Sequence, residues 1–152
     1  MMAEGKSGRR SLERAEYETL AAFRYTLRRF LTFSEAAAAE VGLASQQYQA
    51  LLAIKGSGRE AITIRELARQ LLIKHNSAVG LVDRLEDAGL VTRRVAPEDR
   101  RKVNLRLTAR GIRVLERLAA THRAELRRIG PRLGRFFIYF SQLPGEGSPP
   151  PL

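Results

Sequence analysis

Between Ile64 and Leu107 the sequence carries two helical apolar stripes and one alternating pattern, set so close together that few folds can hold them. Ile64, Leu67, Ala68 and Leu71 recur at i, i+3, i+4 and i+7, which predicts a helix from Ile64 to about Leu72 with one buried face. Thr63 and Glu66 spell a capping box at its start. Ile73-Lys74-His75 reads as a turn. Ala78, Leu81, Val82 and Leu85 then repeat the same spacing on a second helix, from about Asn76 to Ala88, with Asn76 or Ser77 as its cap. Two stripes joined by so short a turn must bury against each other. Gly89 ends the second helix. Leu90 to Ala96 and Lys102 to Leu107 follow as strands. In the latter, Val103, Leu105 and Leu107 alternate with Lys102, Asn104 and Arg106. Pro97 to Arg101 makes the tip. The order is a helix-turn-helix followed by a basic wing.

The outward face of the second helix is fixed by the inward one. It holds Asn76, Ser77, Val79, Gly80, Asp83, Arg84 and Asp87. Its first half is neutral or polar, and its acids lie toward the far end. Base edges are read chiefly by the N-terminal residues of such a helix, so this polarity suits a nucleic-acid partner.

The charge points the same way. Lys and Arg number 27 against 16 Asp and Glu, a net +11. Only Lys6, Lys55, Lys74 and Lys102 are lysines; the rest are Arg, whose planar fork matches phosphate and guanine. A polyanionic partner follows, nucleic acid ahead of anionic membrane. The wing concentrates the signal: Arg93, Arg94, Arg100, Arg101, Lys102 and Arg106 stand against Glu98 and Asp99.

Long helices flank this unit. Ser11 is a candidate N-cap for the first, whose apolar face is Leu20, Phe23, Leu27, Phe30, Leu31 and Ser34, and which ends near Val41 before Gly42. So long a helix exceeds what a small domain can bury alone, which favours packing on a second copy. A helix from Ser45 to about Lys55 buries Tyr48, Leu51, Leu52 and Ile54, and Ala61-Ile62 is a candidate short strand. Thr108 caps a third long helix, to about Ile129, with Ile112, Leu115, Leu118 and Ala119 inward. Gly130-Pro131 predicts a break, then a short helix from Arg132 to Leu143 with the run Phe136-Phe137-Ile138-Tyr139-Phe140. Residues 1–10 and 144–152 have the composition of a disordered arm and tail.

These segments resemble the MarR family of bacterial winged helix-turn-helix transcriptional regulators. The resemblance rests on Leu43-Ala44-Ser45-Gln46-Gln47-Tyr48-Gln49-Ala50-Leu51-Leu52, Ile62-Thr63-Ile64-Arg65-Glu66-Leu67-Ala68, Leu81-Val82-Asp83-Arg84-Leu85-Glu86, Gly89-Leu90-Val91, Asp99-Arg100-Arg101 and Leu107-Thr108-Ala109-Arg110-Gly111, in the family's order and spacing. It covers about Leu12 to Leu143. It implies a mainly α fold with a small β wing, as one domain over 11–143. Dimerisation helices would occupy 11–42 and 112–143, with the winged helix-turn-helix at 45–110. It further implies a homodimer on a pseudo-palindromic operator, usually as a repressor released by a small ligand or other signal. With no membrane-length apolar run and no secretory signal in residues 1–10, a cytoplasmic, nucleoid-associated location is the default expectation.

Carried over by position, the DNA-binding set is Lys74, His75, Asn76, Ser77, Val79, Gly80, Arg84, Asp99, Arg100, Arg101 and Lys102. Asn can pair with adenine, and Val79 can meet a thymine methyl. Many members carry a longer polar or basic residue where this chain has Gly80, which shifts weight toward the wing and DNA shape. The resemblance makes Arg101 the minor-groove residue, oriented by Asp99, with Arg100 and Lys102 on phosphates. Arg93, Arg94 and Arg106 are further candidates. Tyr25, Phe30, Phe33 and Tyr48 are candidates to line a pocket for a small lipophilic or aromatic effector.

Other chemistry finds little support in the residues. Without Cys there is no disulfide, thiolate zinc site or thiol switch. His75 and His122 have no metal-ligand spacing, and Gly56-Ser57-Gly58 lacks the Lys-Ser/Thr of a phosphate loop. No catalytic residue, metal or cofactor is expected. The rival readings are a non-specific nucleoid or RNA-binding protein using the same basic surface, and a membrane-surface protein using Phe136 to Phe140 with Arg132 and Arg135.

Overall fold

Three of the helices end on the same backbone device, and its repetition shapes the chain. The computed structural model describes residues 12–143. Over them the order is α1 Arg14–Glu40, α2 Ser45–Gly56, β1 Ile62–Thr63, α3 Ile64–Gln70, α4 His75–Asp87, β2 Val91–Ala96, β3 Asp99–Leu107 and α5 Ala109–Ser141. This is a mainly α chain with a small β wing, as the periodicities predict. The Ser11 cap, the arm 1–10 and the tail 144–152 lie outside the described residues. The structure opens α1 at Glu13, whose N–H donates to the Glu16 carboxylate at 2.6 Å.

At the ends of α1, α3 and α4 one residue turns left-handed, and two N–H groups reach back to orphan carbonyls. After α1, Gly42 (φ 77°) donates to Ala39 and Leu43 to Ala38, both at 2.9 Å. After α4, Gly89 (φ 71°) donates to Glu86 and Leu90 to Leu85, both at 2.9 Å. After α3 the left-handed residue is Leu72 (φ 54°), donating to Arg69 at 3.2 Å while Ile73 donates to Ala68 at 3.0 Å. Leu72 is 92% exposed, so no packing of its side chain offsets the unfavourable conformation. This cap, rather than Asn76 or Ser77, sets where α4 begins: Lys74 is its N-cap and His75 its first residue.

The capping box at α3 forms as its spelling predicts. The Glu66 N–H donates to Thr63 Oγ1 at 3.2 Å, and the Thr63 N–H donates to Glu66 Oε2 at 2.8 Å. Arg59 adds a bond to Glu66 at 2.7 Å. The Thr63 N–H, followed by Arg59, holds the Glu66 carboxyl below its ordinary value of 4.5.

The core lies where the stripes of α3 and α4 meet α2, the sheet and α5. Leu51, Leu67, Leu81, Val82, Leu85, Leu105 and Leu118 are all buried in it. Leu52, expected inward on α2, is exposed, as are Leu20 and Leu31 on α1. The sheet order is β1-β3-β2, antiparallel, with Ile62 opposite Leu105 and Val91 opposite Leu107. Val95 pairs with Val103, but Ala96 pairs with Asp99, so a bulge lies between them. β3 therefore begins at Asp99 rather than Lys102, and Asp99, Arg100 and Arg101 belong to a strand end rather than a free tip.

The predicted break at Gly130-Pro131 does not occur. α5 runs through both residues, with Pro131 inside the helix. Proline leaves the Arg127 carbonyl without its helical N–H and costs about 3 kcal/mol in a helix interior. The packing phase explains the continuity. Leu118, His122, Ile129, Leu133, Phe136 and Phe140 follow one another three, four or seven residues apart, and none of them is exposed. α1 covers this face on both sides of the proline. Phe23 meets Phe136, Phe137 and Phe140 edge-on at 5.6, 6.1 and 5.9 Å. Phe137 and Ile138 nonetheless stay 60% and 59% exposed.

At its other end, α5 is pinned to the wing. Thr108 Oγ1 donates to the Gly89 carbonyl at 2.7 Å and accepts the Gly111 N–H at 3.0 Å, and the Thr108 N–H donates to Leu90 O at 3.0 Å. Gly111 passes so close that a Cβ there would sit 2.1 Å from the Leu90 carbonyl oxygen.

Three stability outcomes follow from these contacts. Gly111→Ala forces α5 off the wing and lowers stability by at least about 1–3 kcal/mol in urea unfolding, the usual cost of overpacking; an unchanged midpoint contradicts the close approach. Leu72→Gly raises stability by up to about 1 kcal/mol, since relief of the left-handed Leu exceeds the entropy that Gly adds to the unfolded chain; a loss contradicts it. For Glu66, the folded value lies below the unfolded one. Its stabilisation relative to Glu66→Gln is thus complete above about pH 5 and shrinks as acid protonates the folded carboxylate. A difference that grows on acidification contradicts that sign.

Candidate nucleic-acid interface

The expected surface residues gather on two adjoining edges, the start of α4 and the strand end of the wing. Lys74 caps α4 with no side-chain hydrogen bond to its first turn. The leading N–H groups of α4 therefore have no protein acceptor of the capping kind, and they point outward beside exposed Lys74, His75, Asn76 and Ser77. Such an end attracts an anion through both its donors and its dipole. Val79 sits deeper than expected, half-buried against the core. Gly80 is half-buried and Arg84 exposed.

On the wing, Asp99 Oδ1 accepts the Arg101 backbone N–H at 3.0 Å, and Arg101 Nε approaches the same oxygen at 3.4 Å. The Asp99 side chain is 30% exposed and that of Arg101 92%. One carboxylate thus orients an arginine that otherwise stands free. Arg100 and Lys102 flank it, both exposed. A cavity of about 470 Å³ joins the two edges, lined by Arg65 of α3, His75 of α4, and Asp99, Arg101 and Lys102 of β3. Wing and helix therefore form one basic surface. Arg65 belongs to it by position, although its sequence context slightly favours an ordinary helix-surface charge.

The other basic residues of the hairpin divide by their partners. Arg93 pairs with Asp83 across the α4–β2 turn, and its backbone N–H donates to Glu86 at 3.2 Å. Arg106 pairs with Glu60 at 2.9 Å. These two serve the lobe's internal electrostatics, while Arg94 stays exposed. The Arg93 pair also neutralises an acid on the outward face of α4. Sequence spacing could not reveal it, because the hairpin must fold back before the two residues meet.

The expected effector residues do not form one group. Phe30, Phe33 and Tyr48 converge on His122, while Tyr25 is 51% exposed elsewhere on α1. His122 is buried. Its Nδ1–H donates to the Leu118 carbonyl at 2.8 Å, and Nε2 faces Ser34 Oγ at 2.8 Å. Tyr48 stacks on the imidazole at 4.3 Å, and burial pushes the Tyr48 hydroxyl above its ordinary range. The sequence reading missed His122 as a junction residue, although it lies four residues after Leu118 and seven after Leu115, in phase with the buried face.

With this geometry in view, the chain can be set beside known proteins. The MarR family's sequence profile matches residues 41–102, the stretch from the end of α1 to the wing. The HTH-type transcriptional regulator FarR of Neisseria gonorrhoeae is 32% identical over 79 residues, 52% of this chain and 53% of that protein. The chain spans about half the length of the curated relatives it matches. Its fold is similar to that of AbsC, a MarR family transcriptional regulator from Streptomyces coelicolor. The TM-score is 0.70 at 24% identity, over 82% of this chain and 84% of that one. It is also similar to the S. aureus MepR F27L mutant bound to an oligodeoxyribonucleotide, with a TM-score of 0.60 at 21% identity, over 83% and 84%. The segment similar to the MarR family is the one that builds the helix-turn-helix and wing, and the fold shared with these structures extends through α1 and α5.

Proposed function

We propose that this chain is a sequence-specific double-stranded DNA-binding transcriptional regulator, acting as a homodimer on a pseudo-palindromic operator and as a ligand-responsive repressor. The observation that carries this reading is the Asp99–Arg101 pair: an exposed arginine, oriented by a half-buried carboxylate, at the edge of a basic surface shared with α4. A narrow minor groove attracts such an arginine through its enhanced negative potential. The uncapped start of α4, with Lys74 and His75 beside it, suits a phosphate. Asn76 and Ser77 would then face the major groove. FarR is named as a transcriptional regulator, and MepR is described with an oligodeoxyribonucleotide bound.

Support for a second copy comes from the flanking helices. Tyr17, Leu20 and Leu31 on α1 and Leu126, Phe137 and Ile138 on α5 stay exposed. Burying such faces between two copies would hold two wings about one helical turn of DNA apart. It would also occupy the apolar run that a membrane surface would otherwise attract. Among the described residues no helix is long and apolar enough to cross a membrane. For the ligand response, the His122 cluster joins α1, α2 and α5, where a change in packing would tilt the lobe against the flanking helices.

The test is a fluorescence-anisotropy titration on a duplex selected from a randomised pool, with random duplex and structured RNA as competitors. Arg101→Ala weakens binding by more than about 1 kcal/mol, roughly fivefold. Log K falls with log salt at about −0.9 per neutralised phosphate, and Lys102→Ala reduces that slope by about one per wing. Retained affinity in Arg101→Ala removes the minor-groove role. A flat salt series or equal competition by RNA removes operator binding.

A further inference from the structure

The outward face of α4 has a vacancy at its centre. Gly80 lies one turn from Asn76 on one side and from Asp83 and Arg84 on the other, in the middle of the surface that would face base edges. Its neighbours offer little reach. Val79 is held half-buried against the core, and Asp83 is taken by Arg93.

Arg84 fills the gap. Helical side chains lean toward the N-terminus of their helix, over the residue one turn earlier. Here a Cβ built on Gly80 would lie 3.6 Å from an Arg84 guanidinium nitrogen, so the fork rests over the bare backbone of Gly80. This moves the charge back by about one turn, roughly 6 Å, from the acidic far end of α4 toward its base-facing half. The guanidinium also remains uncommitted. Arg59, Arg93, Arg106 and Arg128 each pair with a carboxylate, whereas among the described residues Arg84 makes no ion pair or side-chain hydrogen bond. Asp87, one turn beyond Arg84 on the same helix, is not paired with it either.

We infer that Arg84 is the base-reading side chain of α4 and that Gly80 determines specificity by giving its guanidinium a seat, so that each half-site is read at a guanine. The inference rests on the DNA-binding reading above. The chemistry selects the base: a planar fork with paired donors matches the O6 and N7 acceptors of guanine, which no other base edge offers in the major groove. A phosphate would need only charge, and α4 already has Lys74 and its uncapped first turn for that.

The geometry also ranks substitutions at position 80. Alanine adds a Cβ at ordinary contact distance and leaves the fork in place. Glutamine puts a longer side chain where the guanidinium lies. Both are better helix formers than glycine, so loss of folding does not explain a changed preference.

The experiment is sequence selection from a randomised duplex pool with the full chain and with Arg84→Ala, Arg84→Lys, Gly80→Ala and Gly80→Gln, each checked by thermal melting. Wild type and Gly80→Ala enrich a guanine at mirror-related positions. Arg84→Lys, which keeps the charge but not the fork, and Gly80→Gln lose that preference by about tenfold or more, the scale of one bidentate pair, while enrichment over the wing contacts persists. A guanine preference retained in Arg84→Lys overturns the inference, as does a uniform loss across all sequences in Arg84→Ala, which marks a phosphate contact. A preference retained in Gly80→Gln overturns the role of Gly80. Absence of any enriched sequence with wild type overturns the operator-binding reading itself, a result distinct from the other three.

Discussion

Everything in this fold hangs from the junction at Gly111. There the first turn of a 33-residue helix passes the Leu90 carbonyl closely enough to exclude a side chain, while Thr108 bonds to the backbone on both sides of the approach. The end of α4, the start of β2 and the start of α5 are locked at one point. The direction of α5 relative to the reading lobe follows from that lock. So does the placement of Leu115 and Leu118 in the core and of His122 against Tyr48 and Ser34. A looser junction would leave the lobe and the long helices each able to fold yet poorly aimed at one another.

Electrostatics divides the arginines by work rather than by number. A net charge of +11 says only that a polyanion is welcome. The pairs decide which cations remain to meet it. Arg93 is spent on Asp83 and Glu86, and Arg106 on Glu60. Arg101 is different: its partner Asp99 holds its base and leaves its head in solvent. Surface pairs of this kind contribute little to stability, so their importance is geometric, in clearing an acid from α4 and steering a side chain on the wing.

What could be read from the residues alone tracks the range of the interactions. The stripes of α3 and α4, the Thr63–Glu66 box and the alternation of β3 are local patterns, and each appears where its spacing puts it. The Asp99–Arg101 arrangement was also legible, through the family resemblance. The failures are of two kinds, long-range packing and a competing local conformation. Gly130-Pro131 is a strong local stop signal, but α1 packs on both sides of it and overrides it. Asn76 and Ser77 are good caps by type, yet the left-handed turn at Leu72 had already fixed the start of α4 at His75. Ser34 and His122 are 88 residues apart, and nothing in either neighbourhood announces the other. Tyr25 was grouped with Phe30 and Phe33 by residue type, and helical phase separates them.

The continuous α5 has a mechanical side. It is about 50 Å long, fastened at one end to the wing and carrying its phenylalanines at the other. At Pro131 it lacks one hydrogen bond along its length, to the Arg127 carbonyl, and Gly130 adds backbone freedom beside it. Bending is therefore cheapest at that point. A flexure of roughly 10° there would carry Ser141 about 3 Å sideways, given a rise of 1.5 Å per residue. α5 is thus a lever with a built-in soft spot, stiff where it bears on the wing and compliant where it meets whatever it is clamped against.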